Sequence, residues 1–230
     1  MIRLFGPLGA LAAAAIVPSV AAHADPVAAQ RGFAVYAQVC SACHSLRDVT
    51  FADLAGIGLD RTEIRALAAS RSIADGVDPS GVPRRRPAMP TDRLPPPLVV
   101  PQPGQAVPPD LSRIALVLPG GAGTVSRILT GYHPAPPGLS VPPGSFYDPA
   151  APGGVIAMPP PLADGVVTLA DGTRPDVHRM AADVAAFLDW CAHPHRAERS
   201  RIGTGVVLYL LVLCVLLLLL KRRVWSNVQR

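Results

Sequence analysis

Two uninterrupted apolar runs frame this chain, and the stretch between them switches between amphipathic segments and proline-rich ones. The first run covers residues 4–22. It follows Arg3 and ends on Ala22-His23-Ala24, the pattern of an export signal cut before Asp25. The second, residues 202–220, carries no charge and is followed by Lys221-Arg222-Arg223. At about 1.5 Å per residue it reaches about 28 Å, the thickness of a bilayer's hydrocarbon core, and so predicts a transmembrane helix. Between the runs, apolar residues at helical spacing predict a helix over residues 26–39, with Ala28, Phe33, Val35, Tyr36 and Val39 inward. A second is expected over residues 60–72, capped by Asp60 or Thr62 and burying Ile64, Leu67 and Ala68. A short one over 122–129 stops at Gly131. The last starts near Pro175 or Asp176 and presents Val177, Met180, Ala181, Val184, Phe187, Leu188 and Cys191 as one stripe. Most of the 27 prolines lie between Pro79 and Pro161, so residues 75–109 and 134–161 read as loops. The fold class is mainly α, with long Pro-rich loops and one C-terminal transmembrane helix.

These patterns divide the chain into a signal peptide (1–24), an exported domain (25–201), a membrane span (202–220) and a short inner tail (221–230). Arg196, Arg199 and Arg201 precede the span, so the excess of positive charge after it favours an inner tail only slightly, and the export signal sets the orientation. The net charge of +5 then loses its apparent meaning. Residues 25–201 hold sixteen arginines and sixteen acidic residues, and the excess sits in the signal and the tail. The basic balance therefore gives no support for nucleic-acid binding. Arg84-Arg85-Arg86 reads as a solvated loop face, with a docking or carboxylate-binding role as the alternative.

The chemistry is concentrated in Cys40-Ser41-Ala42-Cys43-His44. Two thiols three positions apart reach the two vinyl groups of one haem, and the histidine that follows lies under the iron. A redox dithiol needs a thioredoxin-like strand–helix setting, which is missing. A zinc site needs a further pair of ligands, and no second cysteine pair exists. The expected cofactor is one covalent haem c, with Cys40 and Cys43 as thioethers and His44 as an iron ligand. Cys214 falls in the membrane span and Cys191 has no partner left, so no structural disulfide is expected.

The sixth iron ligand is open at this point. A thioether raises the potential and closes the iron to substrates. Met158, in Ile156-Ala157-Met158-Pro159-Pro160-Pro161-Leu162, is favoured, because prolines hold a loop in place at low entropic cost. Met89 and His133 are alternatives. Met180 lies on the apolar stripe of the last helix and reads as core. His193 and His195, just before the span, read as a solvated turn rather than a metal site.

Several further pieces run in a fixed order: Pro108-Pro109-Asp110-Leu111-Ser112, Ile128-Leu129-Thr130-Gly131-Tyr132, the Met158 loop, Asp183-Val184 with Phe187-Leu188 and Trp190, Val207-Leu208-Tyr209-Leu210, and Lys221-Arg222-Arg223-Val224-Trp225. With the haem motif, this order resembles the cytochrome c1 family, the haem subunits of ubiquinol–cytochrome c reductase (bc1) complexes. The resemblance implies a cytochrome c-like haem domain in which Met158 is the sixth ligand and Pro109 and Leu111 line the haem pocket. It further implies a non-catalytic electron-transfer subunit that passes electrons from a Rieske iron–sulfur protein to cytochrome c, beside a cytochrome b subunit in a dimeric complex. That complex would sit in a bacterial inner membrane with the haem domain in the periplasm. Three features depart from the family, one being a short and unusually Pro-rich stretch between the haem motif and Pro108. The family's arginine ahead of the Gly-Gly pair, which reaches a haem propionate, is missing from Leu116-Val117-Leu118-Pro119, and an aromatic residue common near position 124 is replaced by Thr124. A free-standing anchored cytochrome, or a haem enzyme or sensor with an open iron position, shares the motif and the anchor but not the ordered pieces.

Overall fold

A computed structural model describes residues 25–95, 106–194 and 196–228, so the expected export signal lies outside the described residues. Helix α1 (Pro26–Gln38) opens on Asp25, whose carboxylate accepts from the Val27 N–H, with Pro26 at the position where a missing N–H costs nothing. A 3-10 turn over Cys40–Ala42 follows. Helix α2 (Arg61–Ala69) resolves the choice of cap: Asp60 accepts from Thr62 and Glu63, while the Glu63 carboxylate reaches back to the Asp60 N–H. After a one-turn helix α3 (Ile114–Val117) comes α4 (Gly121–Thr130), which starts from Gly120 at φ 84°. Helix α5 (Val177–Ala192) is capped by Asp176, and α6 (Arg196–Val228) extends beyond both ends of the apolar run. Its stretch from Glu198 to Asn227 is long and apolar enough to cross a membrane.

The frame of the domain is α5, with α1 packed along it and α4 also against it. The α5 stripe is buried from Met180 to Cys191, while Val177 at its start is only partly covered; Met180, Val184, Phe187 and Leu188 join Ala29, Phe33 and Tyr36 of α1 in one core. Phe187 meets the edge of Phe33 at 5.5 Å and stacks on Trp190 at 5.9 Å. At the same seam Arg31 grips Asp183 with two bonds of 2.8 and 2.7 Å, and Arg179 adds a third at 3.2 Å. The Asp183 side chain is only 4% exposed, so this ion pair is hydrogen-bonded as well as charge-matched.

The proline-rich stretches hold more order than their composition suggests. Residues 72–87 form a hairpin of β2 (Ser72–Val77) and β3 (Pro83–Pro87), joined by a turn in which Asp78 accepts from the Ser80 and Val82 N–H groups. A two-stranded ribbon leaves one edge of each strand unpaired, which is where proline fits. Nor is the arginine triplet a uniformly solvated face: Arg86 binds Asp92 at 2.7 and 2.9 Å and lies 3.6 Å from Asp75. Strand β4 (Arg93–Leu94) pairs with β1 (Leu46–Thr50), and β5 (Phe146–Tyr147) with β6 (Val155–Ile156).

Close approach of α1 to α5 depends on Gly32. A Cβ there would run into the Asp183 carbonyl and lie 2.8 Å from the Phe187 Cβ, both fixed parts of α5. Gly32→Ala is therefore expected to lower stability by about 2–3 kcal/mol, the upper part of the overpacking range. Chemical denaturation of the detergent-solubilised protein, followed by tryptophan fluorescence, measures it.

Candidate haem site

The haem motif begins where α1 ends. The Cys43 and His44 N–H groups both turn back to the Cys40 carbonyl, at 3.1 and 2.8 Å. Ser41 Oγ donates to the Ala37 carbonyl, and the buried Tyr36 hydroxyl donates to the His44 carbonyl at 3.0 Å. Both thiols are free; Cys43 is exposed and Cys40 is partly buried. Burial pushes the Cys40 thiol up to about 12, with a small opposing contribution from a backbone hydrogen bond.

His44 is oriented from across the chain. Its Nδ1 lies 2.8 Å from the Pro109 carbonyl. A carbonyl can only accept, so Nδ1 carries the proton and Nε2 keeps its lone pair for a metal. Such a bond fixes both the tautomer and the plane of a ligating imidazole. The segment that supplies the carbonyl is itself stitched to the motif. Leu111 N–H donates to the Ser45 carbonyl, and Asp48 N–H donates to Ser112 Oγ. The Asp110 carboxylate accepts from Ser45 Oγ at 2.6 Å, from Arg47 N–H at 2.9 Å and from Ser112 N–H at 2.9 Å. Pro109 thus contributes through its backbone, while Leu111 buries its side chain beside the motif. Asp110 and Ser112 belong to a segment singled out in the sequence, but no role is assigned to either side chain there. An Asp followed two positions later by Ser, ahead of a short helix, is the Asx-turn signal for them.

Met158 sits on a second unit. It follows β6 by one residue and precedes three prolines, is partly buried, and its carbonyl accepts from the Tyr132 hydroxyl at 3.2 Å. Tyr132 also meets the Phe146 ring at 6.5 Å, and its own hydroxyl is pushed up to about 12 by burial and by the Asp148 charge. Asp148 is wholly buried at the base of this hairpin. Its N–H donates to the Gly154 carbonyl, and one carboxylate oxygen has no hydrogen-bond partner.

The other candidates have different settings. Met89 is 52% exposed in the turn closed by Asp92, far in character from a sheltered thioether. Met180 is fully buried between α1 and α5, in keeping with a core role. His133 is exposed, with its N–H on the Tyr147 carbonyl. His193 turns Nδ1 onto the Asp189 carbonyl at 2.9 Å, and His195 lies outside the described residues. Among the described residues no three His, Cys, Asp or Glu side chains cluster as a metal site.

These side chains fit a covalent haem: two unpaired thiols, an imidazole with a directed Nε2, and a partly sheltered thioether on a stiffened loop. On either side of the Pro109–Ser112 segment in sequence, Val107, Leu116 and Val117 are large apolar residues left 75, 56 and 73% exposed.

Comparison with known proteins agrees with this chemistry. Residues 18–228 match the model of the "Cytochrome C1 family". The chain belongs to the cytochrome c1 family. "Cytochrome c1, heme protein, mitochondrial" of Saccharomyces cerevisiae is 39% identical over 211 residues, which covers 89% of this chain and 68% of the yeast protein. Cytochrome c1 of Rhodospirillum rubrum is 35% identical over 221 residues, 87% of this chain and 81% of that protein. The "Cytochrome b-c1 complex catalytic subunit, mitochondrial" of Candida albicans is 37% identical over 211 residues, 89% and 73% of the two chains. In this member of the family the mainly helical fold and the long apolar C-terminal helix are as the sequence implied.

The Asp110 knot makes the His44 side of the site acid-sensitive. Burial favours its neutral form, but the bonds from Ser112, Ser45 and the Arg47 N–H outweigh that and hold its carboxyl below the usual range. A depressed folded value stabilises above the unfolded carboxylate range, and that stability is lost as pH falls through the folded value. Unfolding free energy is therefore expected to decline as pH drops below about 4, with Asp110→Asn flattening that decline and lowering stability at neutral pH. Denaturant titrations of both proteins across this range test it.

Proposed function

We propose that this chain is the electron-carrying haem subunit of a ubiquinol–cytochrome c reductase, taking electrons from a Rieske iron–sulfur protein and passing them to a cytochrome c. The observation that carries the reading is the His44–Pro109 bond beside two free thiols, in a chain of the cytochrome c1 family. Cys40 and Cys43 would hold one haem c through thioethers, and His44 and Met158 would ligate its iron. The haem, when bound, supplies one-electron redox chemistry. The protein positions it: Pro109 sets the imidazole plane, Asp110 locks the segment that bears Pro109, Leu111 adds an apolar wall, and the Tyr132–Met158 bond steadies the thioether loop. No general acid or base is needed, so the subunit itself is non-catalytic within the larger oxidoreductase.

In this reading residues 1–24 are a signal peptide, 25–201 a periplasmic haem domain, 202–220 the span of a bacterial inner membrane, and 221–230 a cytoplasmic tail. The relatives' names support a place in a bc1 complex, which implies a cytochrome b subunit and a Rieske protein as neighbours and a dimeric assembly. Tyr209 and Trp225 fall toward the two interfaces. Purification in mild detergent is expected to bring down cytochrome b and a Rieske protein with this chain; migration alone on a native gel contradicts membership in a complex.

Met158→Leu removes the thioether and is expected to lower the haem potential strongly, whereas Met89→Leu leaves it unchanged. Equilibrium redox titration of the two variants distinguishes them. The reverse pattern would assign the ligand to Met89.

A further inference from the structure

A haem brings two propionate carboxylates into a domain whose own charges cancel, so their placement calls for a cation. We propose that Arg127 is the residue that binds a haem propionate in this chain, an inference that rests on the haem reading above. Helix α4 joins the two halves of the site. Its start follows α3 and the segment that holds His44. Its end runs through Gly131 into Tyr132, which reaches the Met158 loop.

Arg127 lies on α4 and folds back one turn toward the start of the helix. Its Nη2 donates to Thr124 Oγ1 at 2.6 Å. Thr124 Oγ1 in turn donates to the Pro119 carbonyl at 2.6 Å, so the hydroxyl proton is committed to the backbone and a lone pair faces the guanidinium. Gly120 leaves room for this arrangement. A Cβ there would stand 2.6 Å from Thr124 Oγ1 and 3.3 Å from Arg127 Nη2, on a backbone at φ 84°. The corner formed by Pro119, Gly120 and Thr124 thus cradles a guanidinium, and the residues just before it in sequence, Leu116 and Val117, are exposed and apolar.

What the cradle lacks is an acid. Arg31, Arg86, Arg93, Arg113, Arg179 and Arg196 each pair with an aspartate. Among the described residues Arg127 pairs with no acid, and its bond to Thr124 uses one of its five donors. A planar fork held in place with open donors matches a carboxylate. It sits where Leu116 and Leu118 contribute no charge. Arg47 is closer to His44 in sequence and is the rival cation, but its bonds run through its backbone, the N–H to Asp110 and the carbonyl from Arg93, and among the described residues none holds its guanidinium in place.

The test uses the purified complex carrying Arg127→Gln, Arg127→Lys or Arg47→Gln. Covalent haem is first verified by haem staining on a denaturing gel; unstained wild-type protein would overturn the haem reading, and this proposal with it. In stained protein, loss of a cation beside a propionate favours the ferric state. Arg127→Gln is therefore expected to shift the ferric-to-ferrous ratio several-fold toward ferric at a fixed ambient potential, and Arg127→Lys to retain most of the wild-type ratio. The redox-difference infrared spectrum supplies a readout that a purely structural role does not move: the propionate carboxylate bands shift in Arg127→Gln and stay in place in Arg47→Gln. Unchanged potential and bands in Arg127→Gln, or propionate bands that move only in Arg47→Gln, overturn the proposal.

Discussion

The hydrogen bond between His44 Nδ1 and the Pro109 carbonyl joins two stretches 65 residues apart, and the geometry of the site follows from it. Without that bond the imidazole rotates freely about its own side-chain torsions, and either nitrogen can carry the proton. With it, Nε2 is presented in one direction. A single hydrogen bond of this kind adds only about 1 kcal/mol to stability, so its importance is directional. The surrounding bonds from Ser45, Arg47 and Ser112 to Asp110 keep the acceptor in place, and they explain why a carboxylate sits beside a residue expected to meet a metal.

Around that bond the protein uses two kinds of support. The motif side is carried by helices: α1 ends at Gln38, two residues before Cys40, and is clamped to α5 by aromatic packing and by the Arg31–Asp183 pair. The Met158 side is carried by a two-residue hairpin, a tyrosine hydroxyl and a run of prolines. Helix α5 is followed closely by α6, so the element that clamps α1 leads on to the helix that is long and apolar enough to cross a membrane. A rigid frame on one side and a stiffened loop on the other suit a cofactor that must change charge without moving.

Much of this was legible in the sequence because it depends on local signals. Helical spacing located α1, α2, α4 and α5; Asp60 and Asp176 were readable as caps; the spacing of Cys40, Cys43 and His44 named the cofactor. Three things were hidden, each for a physical reason. The partner of His44 is a backbone carbonyl, which has no residue signature. The hairpin of β2 and β3 is exposed on both faces, so no alternation of polar and apolar residues announces it, and its prolines mimic a loop. The pairing of Arg86 with Asp92, and the fold-back of Arg127 onto Thr124, depend on the path of the chain rather than on composition. A run of arginines therefore read as a solvated face when one of its members is held by two aspartates.

The central claim is that one covalent haem iron is closed by His44 on one side and Met158 on the other. X-ray absorption at the iron edge of the ferric protein addresses it most directly. The account predicts low-spin iron with a sulfur neighbour alongside its nitrogen ligands, the sulfur signal vanishing in Met158→Leu. Iron with nitrogen and oxygen neighbours alone, or a sulfur signal that persists in Met158→Leu, would contradict it.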